Sequence, residues 1–481
     1  MKYKNNWIPI KTVEEMVNTD YDVLIVGSGP GGAATLSRLC ELWKNQGAKK
    51  IGILEQGDKL FHSHSLNLPT QNVNNARDVL LADNSTTFEK HLPQFSGARM
   101  VYALGGRSLF WNAATPRPIE SETNKWPIPR RELNVYFGMA EKLLHTTMHY
   151  AEGSSIQNVM LKRLHANGID EAIDLPLAFD MMGSYQGQVR SNPWYSSINA
   201  LAAAMFDRPY DLALNANVSR VFENNGRIAG VEVYTADKMA HTIYAKNVVL
   251  SASTLETPRI LLNSGIKGRA IGHYLTGHVS IIATGTIDRG FFSDHSGNVA
   301  ILKAETDEAP YQIQILGPDQ YFSYQQVEDK KLKNTLGIVY TSFGRVEPRF
   351  ENHVYLDPYE KDEFGMPLFQ VEYSLSNKDN QVAEQVKQGI IDSANAMGVT
   401  LDPSTPLELR SPGSDMHESS TCRMGDDPDT SVTNPHSQVH NVEGLYVADN
   451  SVLPRLTAAG PVLTNTALAI RLADYIVRQS S

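Results

Sequence analysis

The stretch 415-DMHESSTCRMGDDP-428 brings a histidine, His417, and one of only two cysteines, Cys422, into a short polar segment punctuated by Gly and Pro. Histidine titrates near neutrality, with an unperturbed pKa of about 6.5, so His417 is a candidate general base. A His–Cys pair could instead ligate a metal or form a nucleophile. A zinc site, however, asks for about four clustered ligands, and no second pair accompanies this one. Cys422 is therefore read as a small packed residue, and no metal site is expected. Asp426, Asp427 and Asp429 form an acidic cluster read as a solvated turn, and His436 and His440 as ordinary loop histidines.

A second chemistry-bearing group lies near the other end. Gly27, Gly29 and Gly32 form G-x-G-x-x-G directly after an apolar run. The first glycine permits a tight turn, the second lets backbone approach a pyrophosphate, and the third lets helix and strand pack closely. The helix that follows points its N–H groups at the phosphates. Glu55, at the end of the next apolar run, is placed to hydrogen-bond a ribose hydroxyl pair. This pattern predicts a dinucleotide site; by itself it does not separate FAD from NAD.

The elements that must position these residues follow from periodicity. In 22-DVLIVGSGPGGAATLSRLCEL-42, Val23 to Val26 read as a strand buried on both faces, followed by a turn and a helix. A second buried run, 51-IGILE-55, completes a βαβ unit. Residues 217–236 and 241–253 read as hairpin-forming strands, ending in the buried run Val248 to Leu250. A helix over 256–265 closes on Gly265. Alternation between about 280 and 375, as in 310-PYQIQILG-317 and 336-LGIVYTSF-343, suits an antiparallel sheet. The chain then returns to α/β, with a short strand at 445-LYVAD-449 and an amphipathic helix over 464–479. The two ends are thus expected to form one discontinuous domain with a second domain inserted between them.

Composition narrows the classes of function. The 481 residues carry a net charge of −10 with no long basic run, which argues against nucleic acid or an anionic membrane as the main partner. No apolar run approaches the roughly 18–20 residues of a membrane span, and the first twenty residues lack the apolar core of a signal peptide. Two cysteines cannot build a disulfide framework. A soluble, cytoplasmic protein is the expectation.

Five dispersed segments share a family pattern. The first is 104-LGGRSLFWNAATPRP-118, a Gly-Gly turn followed by an aromatic pair; the next is 126-WPIPRRELNVYFGMAEKLL-144. Further on come 253-STLETPRILLNSGI-266, with Lys267 where a glycine is usual, then 417-HESSTCRMG-425, and 443-EGLYVADNSVLP-454 with 464-TNTALAIRLADYI-476. In order and spacing they resemble the glucose–methanol–choline (GMC) oxidoreductases, particularly the pyranose-oxidase-like branch. The resemblance implies FAD and an α/β Rossmann-like (three-layer ββα) flavin domain, with an inserted antiparallel-sheet substrate domain. On that pattern the flavin domain is assembled from 1–60, 96–125, 205–280 and 412–481, and the substrate domain from 61–95, 126–204 and 281–411. Carried over, Gly105, Gly106, Ser108 and Asn112 would lie along the flavin, Val218 would meet the adenine, and Asp449 the ribitol. The helix beginning near Thr464 would point its N-terminus at the pyrimidine end, where reduced flavin carries negative charge.

The resemblance also assigns chemistry. FAD would accept a hydride from an alcohol carbon, and His417, four residues before Thr421, would take the hydroxyl proton. Where some pyranose oxidases attach FAD through a histidine this chain has Phe110, so non-covalent FAD is expected. The second catalytic position, usually His or Asn, falls on Gly460 in 460-GPVLT-464. Losing that donor leaves room for a bulky alcohol, such as the hydroxyl of a sugar, glycoside or amino sugar, with O₂ or another electron acceptor. It also keeps open a non-redox, lyase-type flavoprotein; a flavin-binding protein without turnover is the other alternative, and it would need His417 to be dispensable.

Overall fold

The computed structural model describes residues 8, 10–67, 85–87, 92–181, 193–292, 297–318 and 334–480. Part of the N-terminal stretch read for a signal peptide, and most of the 61–95 segment, lie outside these residues. The apolar runs Val23–Val26 and Ile51–Leu54 are strands buried at every position. Both sit in the middle of a six-stranded sheet whose order is Ile10–Lys11, Asp211–Ala213, Ile51–Leu54, Val23–Val26, Val248–Leu250, Leu445–Val447. All of its pairings are parallel, which covers both faces and demands continuous apolar runs. Strands from opposite ends of the chain are therefore joined in one sheet.

Helix Pro30–Leu42 packs against Val462–Gln479 and Ser197–Asp207, and Val462–Gln479 in turn against Arg130–Leu143. Asp474 ties three of these helices together, accepting from Arg38 Nε at 2.6 Å and from Tyr136 Oη at 3.0 Å. Arg130–Leu143 and Ser197–Asp207 come from stretches grouped above with the substrate domain, yet their buried faces share the core of the parallel sheet. A three-stranded antiparallel sheet, Asn217–Asn224, Arg227–Tyr234 and Ala240–Tyr244, joins the same core through Val221, Val231 and Ile243.

The second large sheet is antiparallel and seven-stranded, with the order Thr400–Leu401, Ile282–Asp288, Thr335–Arg345, Tyr311–Gly317, Val299–Lys303, Ala172–Asp174. Its seventh strand, His278–Val279, pairs with the end of Thr335–Arg345, placing His278 opposite Arg345. Alternation divides the sheet faces. Ile313, Ile315 and Tyr340 pack on Val382, Val386 and Ile390 of helix Asn377–Met397. Ala300, Leu302 and Leu316 face the other way, onto Ala114 and Leu177. Phe343, opposite Gln312 in the register, also lies on this second face. Helix Asn377–Met397 was not anticipated above; a Ser376–Asp379 capping box starts it and Gly398, at φ 78°, ends it. No helix among the described residues is long and apolar enough to cross a membrane.

Candidate active site

The first and third glycines of the loop stand where a side chain would not fit. Gly27 has φ +100°, and a Cβ there would lie 2.3 Å from Ser251 O. At Gly32 a Cβ would lie 2.0 Å from Gly27 O and 3.3 Å from Ile25 Cγ2, so helix and strand pack with no room for a side chain. At Gly29, the N-cap of helix Pro30–Leu42, a Cβ would meet nothing within 4 Å. The Gly105–Gly106 turn lies against this loop, the Gly106 Cβ position being 3.6 Å from Gly29 Cα.

Glu55 is buried behind the loop and already engaged. Ser28 donates to its Oε2 from Oγ at 2.5 Å and from N–H at 3.0 Å, and Gly57 N–H donates to Oε1 at 3.0 Å. Burial raises the Glu55 pKa while these bonds oppose the rise. Gly105 N–H donates to Ser28 Oγ at 2.9 Å, so the two glycine turns and Glu55 form one hydrogen-bonded chain. Ser108 donates to Gly105 O and accepts from Ser197 N–H, tying the turn to helix Ser197–Asp207. Asn112 is exposed, Val218 lies beside a register shift in its strand, and Phe110 meets Phe61 edge-on.

Asp449 accepts from Ser451 N–H at 2.8 Å, Ser253 N–H at 3.0 Å and Thr257 Oγ1 at 2.5 Å, so it clamps its own loop to helix Ser253–Asn263. Helix Val462–Gln479 begins two residues before Thr464, which is buried in its first turn. In the same turn Asn465 Oδ1 and Thr466 Oγ1 are buried without a hydrogen-bond partner among the described residues, as is Ser197 Oγ. Native proteins rarely leave such groups orphaned. Two helix N-termini, the free flank of Gly29 and these orphaned oxygens fit a ligand with a pyrophosphate and many polar atoms, as FAD has.

His417 lies between the two sheets. Ser419 and Thr276 exchange backbone hydrogen bonds, which sets His417 beside His278. The two Nδ1 atoms are 3.1 Å apart, and His278 Nε2 is 2.7 Å from Thr457 O. The Phe343 ring packs on the His417 ring with centroids 4.7 Å apart. A Cβ on Gly460 would lie 3.6 Å from His417 Cε1, 3.8 Å from Nε2 and 3.8 Å from Ala114 O. Gly460 is thus beside the base candidate, at ordinary contact distance for a side chain it lacks. Met416 and Ser420 flank His417 with φ of 57° and 77°, a strained backbone that surrounding bonds must hold. Desolvation, reinforced by His278 and only partly offset by Asp415, lowers the His417 pKa to about 3.

Besides Phe343, four polar residues around His417 escaped the sequence reading. Asp415 Oδ2 accepts from His278 N–H at 2.8 Å and lies 3.3 Å from His278 Nδ1. Arg107, inside the Gly-Gly segment, grips Glu418 with both guanidinium nitrogens and Met416 O with Nη1. Asp415 and Glu418 were within the quoted motif but carried no signal beyond proximity. His278 is 139 positions from His417 and is brought in only by sheet pairing. Among the described residues the metal-ligand types that gather are His278, Asp415 and His417, with one ligand-type atom each within 4.8 Å. Cys422 is not in that group; it is buried in the parallel-sheet core. His436 stacks on Tyr475 and His440 meets Ser431 Oγ. Asp427 caps its own turn through Asp429 N–H.

Residues 22–280 match the N-terminal part and 348–469 the C-terminal part of the GMC oxidoreductase family. The chain is 31% identical over 402 residues to C-glycoside 3-oxidase of Arthrobacter globiformis, covering 79% of this chain and 75% of that protein. It is 26% identical to 2-methyl-1,2-propanediol dehydrogenase of Mycolicibacterium austroafricanum, with 96% of each chain covered. Pyranose 2-oxidase of Tricholoma matsutake is 23% identical, over 79% of this chain and 73% of that one. The chain belongs to the GMC oxidoreductases, FAD-dependent enzymes that act on CH–OH donors.

Proposed function

We propose that this chain oxidises a hydroxyl-bearing carbon of a sugar or glycoside to a carbonyl, with His417 Nε2 taking the hydroxyl proton. Bound FAD, held without a covalent link because Phe110 replaces a histidine, supplies the hydride acceptor. The observation that carries this reading is the placing of His417. One side of its ring is backed by Phe343 and His278, and Nε2 faces Gly460 just before the N-terminus of helix Val462–Gln479. That N-terminus favours negative charge next to the base. Phe343 and Ala114 limit water there, which strengthens each polar contact. The sugar- and glycoside-oxidising names among the relatives support the substrate class.

The test is anaerobic bleaching of the purified yellow holoenzyme by a panel of free sugars, O- and C-glycosides and amino sugars. At least one glycoside is expected to bleach the flavin, and colour returning in air marks an oxidase. A chain that holds FAD and is bleached by no member of the panel overturns the reading in favour of a non-redox role.

Gly460 is read as room for a bulky substrate. Gly460→Asn fits sterically, because its Cβ meets only ordinary contacts. The new side chain intrudes on the space beside Nε2 and is expected to lower kcat/KM for the best glycoside about 10–200-fold, the range for filling a pocket by a few atoms. Activity on a small diol should hold or rise, since Asn restores a donor. Equal losses on both substrates would remove the space argument.

A further inference from the structure

We propose that His278, with Asp415, is a positioning residue that sets the tautomer of His417 and receives its charge during turnover. The inference rests on the reading of His417 as the base.

The tautomers follow from the partners. Thr457 O can only accept, so its 2.7 Å contact with His278 requires a proton on His278 Nε2. With that ring singly protonated in the resting state we propose, His278 Nδ1 is bare. His417 Nδ1 stands 3.1 Å from it, and one of the two nitrogens must donate, so the proton is on His417 Nδ1. A neutral ring carries one proton, which leaves His417 Nε2 bare on the side that faces Gly460. With His278 singly protonated, the Thr457 contact selects the His417 tautomer a base needs. Without the Thr457 contact, the Asp415 carboxylate 3.3 Å from His278 Nδ1 would favour the opposite tautomer.

Asp415 gives the pair a second use. Its Oδ2 holds the His278 backbone N–H and lies 3.3 Å from His278 Nδ1, and its Oδ1 is buried with no hydrogen-bond partner among the described residues. When a hydroxyl proton arrives on His417 Nε2, the ring becomes positive. The Nδ1–H bond of His417 can then break as an Nδ1–H bond forms on His278. One proton enters at Nε2 and one leaves at Nδ1, so His417 returns to neutral. The positive charge ends on His278, between the Asp415 carboxylate and the Thr457 carbonyl. Other charges nearby are already paired: Arg107 with Glu418, and Arg345 with Glu305 and Glu122. Tyr373 also adjoins Asp415, and burial raises its pKa, so it stays neutral. Asp415 is the carboxylate that faces His278 Nδ1 directly.

The same network sets the loop that leads to Gly460. Thr457 O is held by His278, and Ala458 N–H donates to Glu305 Oε2 at 3.0 Å, so two groups of the antiparallel-sheet region pin this segment.

The experiment compares His278→Leu and His278→Asn in the FAD-loaded full chain. Asn offers an amide oxygen near the Nδ1 position; Leu offers none. His278→Leu is expected to slow substrate-driven flavin reduction about 10–100-fold with KM little changed. His278→Asn should recover to within about threefold, because an acceptor for His417 Nδ1–H is restored. Nitrogen-15 NMR of histidine-labelled chain gives a readout independent of turnover. Wild type should show His417 protonated on Nδ1 and bare on Nε2, and His278→Leu a mixture. Equal impairment by Leu and Asn, or an unchanged His417 tautomer in the Leu variant, overturns the proposal. So does about one equivalent of transition metal in the purified protein that is absent from His278→Leu, since the three side chains would then be a ligand set. If His417→Gln keeps the wild-type rate, it is the underlying base assignment that fails instead.

Discussion

Replacing His417 with Gln is expected to lower the rate of substrate-driven flavin reduction about 10²–10⁴-fold, the usual range for a general base, with FAD content unchanged. Gln matches the ring in reach but has no basic lone pair. The site around it is otherwise kept by backbone bonds, such as Ser419 to Thr276, that do not use the ring. Stopped-flow bleaching with the best glycoside measures the effect, and a loss under tenfold would remove His417 from the chemistry.

The pH dependence has a definite sign. A base works unprotonated, and the His417 pKa is lowered to about 3, so the ring is neutral throughout the working range. The wild-type profile should therefore lack an acid limb near 6.5 and lose base function only toward pH 3. Stability follows the same sign. As pH falls below about 6.5 the unfolded chain takes up a proton that the folded chain refuses, so folded-state stability declines down to the folded pKa. His64, buried and lowered to about 4 by desolvation, adds to this acid loss in the same direction.

Arg107→Leu is expected to destabilise the protein by about 3–5 kcal/mol, the range for breaking a buried ion pair from one side. Glu418 has only 1% of its side chain exposed, and burial raises its pKa while Arg107 opposes the rise. Without the guanidinium, that carboxylate must be desolvated unpaired or carry a proton. Arg107 also holds Arg99 O and Met416 O, and Met416 is one of the strained residues flanking His417. The variant should lose FAD at lower temperature, read from flavin fluorescence on heating. The double variant Arg107→Leu, Glu418→Leu should regain most of the loss, because no buried charge is left unpaired. A single variant that melts with wild type would show the pair to be solvated.

How much of this was legible in advance depended on the range of the interactions involved. Local rules identified the βαβ unit, since Val23–Val26 and Ile51–Leu54 must be apolar throughout to sit in a parallel sheet. The roles of Gly27 and Gly32 were legible for a similar reason: a positive φ and a helix–strand contact leave no room for a side chain. Helix Asn377–Met397 carried its own signals, with apolar residues at Val382, Val386 and Ile390 and a capping box at Ser376, but it lies just beyond the stretch of strand alternation and no element was assigned there. The grouping implied by the resemblance puts Arg130–Leu143 with the substrate domain, while its buried face shares the core of the parallel sheet. A helix's amphipathic pattern shows that it has a buried face, but not which core will take that face.

The sequence by itself determined that there is a βαβ unit with a glycine-rich turn, that a histidine stands in a polar turn near the C-terminus, and that the position 43 residues further on has no side chain. The tertiary structure alone decided what that histidine can do. His278 reaches it through the pairing of Ser419 with Thr276, Arg107 through the fold of the Gly-Gly turn, and Gly460 through the loop held by Thr457 and Ala458. Spacing along a chain encodes contacts within a strand or a helical turn. Contacts between segments more than a hundred residues apart depend on sheet pairing and shared burial, which no short motif records.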